Sequence, residues 1–163
     1  MVTSIKGNDT STFGAGITAN NINLTGNVLQ VVQTLHTTSF TTTSGTYVDV
    51  PNFNVTITPS SASSKILVMV TALSGHSAAA AAVKLSLLRG STEIAGLAES
   101  GAYLGGLSFI NEVLFGGNFL DSPATTSPVT YKVQIAATTA GNVVYISSGT
   151  TTKSTITVME IAG

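Results

Sequence analysis

Apolar and polar residues alternate with a period of two along most of this chain. The stretches Phe53–Thr58 and Val129–Ile135 alternate strictly, and Leu29, Val31 and Leu35 share one face of the first alternating segment. Such alternation is typical of a β-strand with one buried face. Turn-forming residues cluster between the apolar runs, at Ser44–Gly45, Pro59–Ser61, Gly90–Ser91, Gly116–Asn118 and Ala140–Asn142. We therefore predict an all-β chain of roughly eight to ten strands, arranged as a jelly-roll-like antiparallel β-sandwich.

Residues 1–27 differ from the rest of the chain. They are rich in Asn, and their apolar residues are too sparse to form a core. We interpret residues 1–27 as an extended N-terminal arm or short β-stem that becomes ordered by docking on another surface. The alternative is a first strand preceded by a frayed terminus. The apolar residues that would anchor the arm are Phe13, Ile17, Ile22 and Leu24, and residues 28–163 are predicted to form the β-sandwich head.

Two segments do not follow the alternation. Ser77–Val83 is an alanine run of high helix propensity, but Gly75 precedes it and an alternating segment follows it. We expect a loop that leads into a strand there, with a short helical turn as the alternative. We expect Ala95–Leu104 to be a long surface loop.

Two predicted strands are apolar on both faces. They are Lys65–Leu73 and Ser154–Ile161. In a two-layer sandwich a strand turns one face to the core and the other toward solvent, so the outer face of these two strands needs cover. One interpretation is that the arm or a loop of the same chain covers this outer face. We favour the other, which is an interface with another subunit. The residues predicted to form this interface are Leu67, Met69, Met159 and Ile161.

The charge content supports self-association. The 163 residues include only six basic and seven acidic residues, with a net charge of −1 and a pI near 6.0. Surface charge normally keeps small domains apart, so a chain with so little of it is better suited to an oligomer than to a monomer. The basic residues are scattered and form no stripe that would neutralise phosphates, so we expect no nucleic-acid partner.

The chain contains no cysteine, which excludes disulfides and thiolate metal sites. The N-terminus lacks the apolar segment of a signal peptide, and the longest apolar runs are too short to cross a bilayer. We therefore expect synthesis in the cytoplasm of the producing cell and no insertion into a membrane.

Residues suited to catalysis or metal binding do not form a recognisable motif. His36 and His76 have no carboxylate at metal-ligand spacing, and we interpret both as exposed histidines at a strand end or in a loop. No phosphate-binding glycine motif and no calcium loop is present, so we expect no cofactor and no metal. The acids that remain as candidates for general acid–base work are Glu93, Glu99, Glu112 and Asp121. They are far apart in sequence, and the chain has no Trp to line a sugar cleft, so a polysaccharide depolymerase is a distant alternative to a non-enzymatic protein.

Several segments carry a resemblance to a known family. In order along the chain they are Val28–Thr34, Tyr47–Val50, Val55–Val68, Phe119–Thr126, Thr130–Gln134 and Ser154–Ile161. Together they resemble a module of bacteriophage virion proteins that is frequent among cyanophages. The resemblance covers Val28 to the C-terminus, and Gly16–Gly26 is similar to a short β-stem element of phage fibres.

This resemblance implies a homotrimeric jelly-roll domain on the virion surface, made in the bacterial host cytoplasm. Two roles are consistent with it. As a short tail fibre or receptor-binding head, the chain would present the loops near 74–82 and 95–106 to a host surface receptor and dock on tail or baseplate proteins. As a capsid decoration (cement) protein, it would clamp the major capsid protein through its arm. A typical fibre has a long shaft before this module, whereas few residues precede it here, and this favours decoration. The module usually occurs in fibres, and this favours the fibre role. We place the fibre role slightly ahead.

Overall fold

The computed structural model describes residues 25–77, 81–101, 111–147 and 153–163, which form ten β-strands and no helix. The strands are β1 (Val28–His36), β2 (Phe40–Thr42), β3 (Val48–Ile57), β4 (Lys65–His76), β5 (Val83–Arg89), β6 (Thr92–Gly101), β7 (Asn111–Asp121), β8 (Val129–Ala137), β9 (Val144–Ile146) and β10 (Ser154–Ile161). The all-β prediction and the expected number of strands are confirmed.

The strands form two antiparallel sheets that pack as a sandwich. The first sheet has the order β1-β10-β4-β7, and the short strands β9 and β2 continue it beside the end of β4. The second sheet has the order β3-β8-β5-β6. Leaving out β2 and β9, the first long strand pairs with the last, the second with the seventh, the third with the sixth and the fourth with the fifth. Such nested pairing arises when one long antiparallel hairpin folds over into two sheets. The resulting fold is a jelly roll.

Alternating residues of the two sheets fill the core. Phe53, Val55 and Ile57 of β3 are buried, and the polar residues between them are exposed. Tyr131 and Val133 of β8 are buried in the same way. Each such side chain contributes about 1.5–3 kcal/mol when it leaves water, so the period of two is what places the core between the sheets.

Two predicted loops are strands in the structure. The residues 95–101 belong to β6, although the sequence predicted a long surface loop over Ala95–Leu104, whose last three residues lie outside the described residues. Gly116–Asn118, predicted as a turn, lies in the middle of β7. Both errors come from glycines that serve packing: a Cβ at Gly101 would collide with the Phe115 ring, and one at Gly117 would meet Leu97 at 2.8 Å.

The alanine run lies partly outside the described residues. Ala81 and Ala82 are buried, and the strand expected after the run begins at Val83.

The head has two distinct poles. At the pole that we call basal, Gly26 donates a hydrogen bond to the Ala162 carbonyl at 2.7 Å, so the start of the described chain lies beside its end. Strands β3, β5 and β7 end at the basal pole. Strands β4, β6 and β8 end at the opposite, apical pole, where β5, β7 and β10 begin. Residues 1–24, which lie outside the described residues, therefore join the head at the pole opposite to the ends of β4 and β6.

Candidate functional site

An apolar row crosses the outer face of the first sheet. Val31, Met159, Leu67 and Leu120 lie directly opposite one another on the four neighbouring strands β1, β10, β4 and β7. Val31 is 54% exposed and Leu120 is 50% exposed at the two ends of the row, and the two central side chains are half-buried. Among the described residues, none of the buried core residues belongs to this row, so its side chains lie on the face of the sheet that is turned away from the core.

Further apolar residues extend the row into a continuous surface. Leu73 and Leu114 form a second cross-strand pair nearer the apical pole, and Leu35 is exposed on β1. Between the row and the Leu73–Leu114 pair, a further line of opposed residues runs across the four strands. It consists of Gln33, Thr157, Met69 and Asn118. We call this surface, defined by Val31, Leu35, Leu67, Met69, Leu73, Leu114, Leu120, Met159 and Ile161, the outer apolar face.

The outer face of the second sheet has the opposite character. Lys132 donates to Asp49 at 2.7 Å, and the Gln134 amide donates to the other oxygen of the same carboxylate at 2.7 Å. Thr56 and Thr130 share a hydroxyl hydrogen bond at 2.7 Å. The hydrogen bond and the positive charge of Lys132 lower the pKa of Asp49. Within the described residues, the outer face of the second sheet is therefore polar and that of the first sheet is apolar.

The four residues predicted for a subunit interface all lie on the outer apolar face. Leu67, Met69, Met159 and Ile161 alternate with buried residues of β4 and β10 and are half-buried themselves. The residues that sequence reasoning missed are Val31, Leu114 and Leu120. The signal for Val31 was present in the alternation of β1, but alternation alone does not say which of its two faces turns outward. The predicted anchoring residues of the arm, Phe13, Ile17, Ile22 and Leu24, lie outside the described residues.

A buried carboxylate joins three segments at the basal pole. The Glu160 side chain is fully buried and accepts hydrogen bonds from the Ser60 backbone at 2.7 Å, the Ser60 hydroxyl at 2.6 Å and the Gln30 amide at 2.6 Å. Gln30 also donates to the Thr58 carbonyl. Burial alone would raise the pKa of Glu160, but these hydrogen bonds to its charged form outweigh burial and lower the pKa to about 2. Glu160 therefore stays ionised and holds β1, β10 and the β3–β4 connection together.

A second buried carboxylate lies at the end of β7. Asp121 receives two contacts from Arg89 Nη1, at 2.9 and 3.0 Å, and a hydrogen bond from the Tyr131 hydroxyl at 2.7 Å. Burial, and then the neighbouring Asp121, raise the pKa of Tyr131. Because its partners come from β5 and β8, Asp121 ties the two sheets together. Of the four acids considered for catalysis, Asp121 is thus engaged in a structural ion pair.

The two histidines are buried, and the prediction that both are exposed is wrong. His36 is stacked on Phe53 with ring centroids 4.9 Å apart, and neither of its ring nitrogens has a hydrogen-bond partner within the described residues. Burial lowers the pKa of His36, which keeps the ring neutral. His76, at the end of β4, is fully buried. The His36 ring, stacked on Phe53, thus fills an inward position of β1.

In the described parts of the chain, no group of three His, Asp or Glu residues could hold a metal ion. No helix there has the length and apolar character needed to span a bilayer.

The fold is similar to that of solved viral proteins. The VP2 subviral particle protein of infectious bursal disease virus aligns with a TM-score of 0.51 and 15% sequence identity, over 82% of this chain and 32% of VP2. The structure of the Gt strain of the same virus aligns with a TM-score of 0.49 and 12% identity, over 85% of this chain and 39% of the other. This chain thus spans about a third of the length of the proteins it resembles. At this level of identity the likeness shows the fold alone.

No protein-family model matches the sequence, and no curated protein sequence matches it.

Proposed function

We propose that this chain is a non-enzymatic structural protein of a bacteriophage virion, the self-associating head of a short tail fibre that attaches the particle to its host. The observation that carries the proposal is the apolar row formed by Val31, Met159, Leu67 and Leu120, which no part of the described chain covers. Contiguous exposed apolar surface on a chain with so few charges is typical of a protein that is covered by its own copies.

The area of the outer apolar face is suited to a stable contact. Four strands spaced ~4.8 Å apart and about ten residues long cover roughly 600 Å² of flat sheet. A standard protein interface buries ~800 Å² on each partner, so this face would supply most of that area and the residues around it the rest. We propose that three copies meet through this face as a homotrimer, with Leu67, Met69, Met159 and Ile161 in the contact.

The two poles support the role of an attachment head. A fibre head needs one end fixed to the particle and the other free to meet the host. Residues 1–27 lead to the basal pole, and we propose that they anchor the head to a tail or baseplate protein through Phe13, Ile17, Ile22 and Leu24. The connections at the apical pole would then face the host surface receptor. The module resemblance supports this arrangement, since it places the same head at the ends of phage fibres.

A second candidate role is capsid decoration. The observation that favours it is the jelly-roll fold shared with the VP2 protein of a subviral particle, which is part of a viral shell. In this role the arm would clamp neighbouring copies of the major capsid protein, and the outer apolar face would again join copies of this chain.

The number of copies in each virion tests both roles. We expect quantitative mass spectrometry of purified particles to find this chain in a few copies, in multiples of three, at the tail. Hundreds of copies would overturn the fibre role and support decoration. Absence of the chain from particles that are intact and infectious would overturn both.

A further inference from the structure

The open edges of the two sheets are not equally protected. An open strand edge offers unpaired backbone groups to other strands, and proteins blunt such edges with short length, bulges, proline or charge. Among the described strands, β2 is three residues long, and β1 has a register shift between Val28 and Gln30. β3 carries Pro51 within a register shift, and β6 has three register shifts and the exposed Glu93. The edges of β2, β3 and β6 are therefore poorly suited to pairing, whereas β1 is interrupted only at its first residues.

β7 has none of these protections. Its eleven residues pair with β4 without a register shift, and in the described part of the chain it pairs with no other strand. It contains no proline, lysine or arginine. Its two acids lie near its ends, and one of them, Asp121, is already bound by Arg89 and Tyr131. Within the described residues, β7 is thus a long, regular strand that pairs on one side alone and has no charge at its centre.

The sequence of β7 is nearly symmetric about Gly117. Leu114 matches Leu120, and Phe115 matches Phe119. The two leucines lie on the outer apolar face and are exposed by 51% and 50%. The two phenylalanines lie on the inner face of the same strand, half-buried against the core. A two-fold axis between two antiparallel strands places each residue before the axis opposite the residue at the same distance after it. In β7 such an axis at Gly117 therefore brings leucine to leucine and phenylalanine to phenylalanine.

We propose that β7 pairs antiparallel with β7 of a second copy of this chain, in the register centred on Gly117. Leu114 of each copy then lies opposite Leu120 of the other, and Phe115 lies opposite Phe119. Cross-strand apolar and aromatic pairs of this kind stabilise sheets, and the backbone hydrogen bonds of both edges are satisfied. The first sheets of the two copies become one continuous sheet.

This register creates no electrostatic conflict. Glu112 faces Ser122 of the second copy, and Asp121 faces Val113, so no acid meets another acid. The pairing also extends the outer apolar face, because the row that ends at Leu120 continues into Leu114 of the second copy and its neighbour Leu73. The β7 contact is two-fold and uses a strand edge, so it goes beyond the three-fold contact proposed above and does not depend on it.

The absence of cysteine in the chain allows a direct test by crosslinking. In the double variant L114C/L120C, each new thiol lies opposite its mate on the other copy, at the ~4.5–5.5 Å Cα separation that suits a disulfide. Within one chain the two positions are about 20 Å apart along an extended strand, so they cannot bond to each other. We expect mild oxidation to convert the full-length protein mainly into a covalent dimer on a non-reducing gel, with mass spectrometry locating the bond between residues 114 and 120.

The double variant L114C/N118C is the matched control. Both of its positions are exposed on the same face of β7, but in the proposed register position 118 faces position 116 instead of another thiol. It should remain monomeric on the same gel. If L114C/L120C gives no dimer, or if both variants crosslink equally, the proposed pairing is wrong. A dimer formed by the control alone would place the axis elsewhere and would overturn the register.

A second pair of variants tests the contact without cysteine chemistry. L114K/L120K places like charges opposite each other, and L114K/L120E places opposite charges there. We expect sedimentation to show loss of the two-fold contact in the first variant and its retention in the second. Equal sedimentation of the two would contradict the proposal. Both measurements can be repeated with V31K also present, which removes the three-fold contact, so that failure of the trimer and failure of the β7 pairing remain distinguishable.

Discussion

Glu160 shows how one residue can hold a corner of this head together. It lies at an inward position of β10, in line with the buried Ile156 and Val158, where an apolar residue would be expected. Its carboxylate is fully hydrogen-bonded by Ser60 and Gln30, and this is the arrangement under which a buried charge is tolerated. The sequence alone does not predict a role for Glu160, because its neighbours along the chain do not indicate where its hydrogen-bond partners lie.

The stability of the head should therefore fall in acid through Glu160. Its pKa is about 2 in the folded state and 4.5 in the unfolded state, so the unfolded chain binds more protons between these values. The stabilisation is present above pH ~4.5 and is lost as the pH falls toward ~2. We expect E160Q to lower the free energy of unfolding at pH 7 by about 1–3 kcal/mol, because the amide cannot replace the charged acceptor.

Urea denaturation at pH 7 and pH 3 would check this prediction. The difference between E160Q and the native chain should shrink at pH 3. E93Q, at an exposed position of β6, is the control and should behave like the native chain at both values. A loss of stability in E160Q that does not change with pH would show that Glu160 acts through packing alone.

At the scale of the strands, alternation predicted the elements well but left their orientation open. Period two identified β3 and β8 and most of their buried residues, since apolar and polar residues alternate strictly over Phe53–Ile57 and Val129–Ile135. In β1, however, Leu29, Val31 and Leu35 form the exposed set. The inward set includes the buried His36. The pairing of β1 with β10 decides the orientation, and pairing between strands so distant in sequence leaves no local signal.

The sequence predicted a loop over most of β6 for a related reason. Its glycines and glutamates are typical of loops, but Gly101 is required by the close approach of the Phe115 ring from the other sheet. For the candidate site, the central residues of the row were predicted because β4 and β10 are apolar on both faces. The outer residues of the row, Val31 on β1 and Leu120 on β7, were not predicted. Their place in the row depends on which strands lie beside β10 and β4, and the sequence does not show this.

A charge on the outer apolar face should separate copies that meet through it. Val31 is 54% exposed, so V31K leaves the core intact but places a lysine where the trimer contact is proposed. We expect sedimentation equilibrium to show a smaller assembly for V31K than for the native chain. T56K, an exposed position on the polar face of the second sheet, is the matched control and should retain the native mass. If both variants have the native mass, the outer apolar face is not an interface.

At the scale of the whole molecule, the scarcity of charge determines how copies associate. With six basic and seven acidic residues in the chain, and with some of them paired within the head, few charges remain for contacts between copies. Assembly through apolar surface and backbone pairing should therefore resist salt. We expect the assembled mass to be unchanged or raised between about 0.05 and about 0.5 M salt, over which the screening length falls to roughly 4 Å.

Light scattering across this range would check the prediction. A fall in mass with rising salt would indicate that ion pairs hold the copies together, which would contradict an apolar interface.

The hydrogen bonds that join Gly26 and Asn27 to Ala162 also determine how the head responds to force. A pull on residues 1–24, with the apical pole held, acts along β1. The eight residue pairs between β1 and β10 then bear the load together, in shear. A sideways pull would instead open the same ladder one pair at a time, from the basal end. We therefore expect the head to withstand a greater force along β1 than across it.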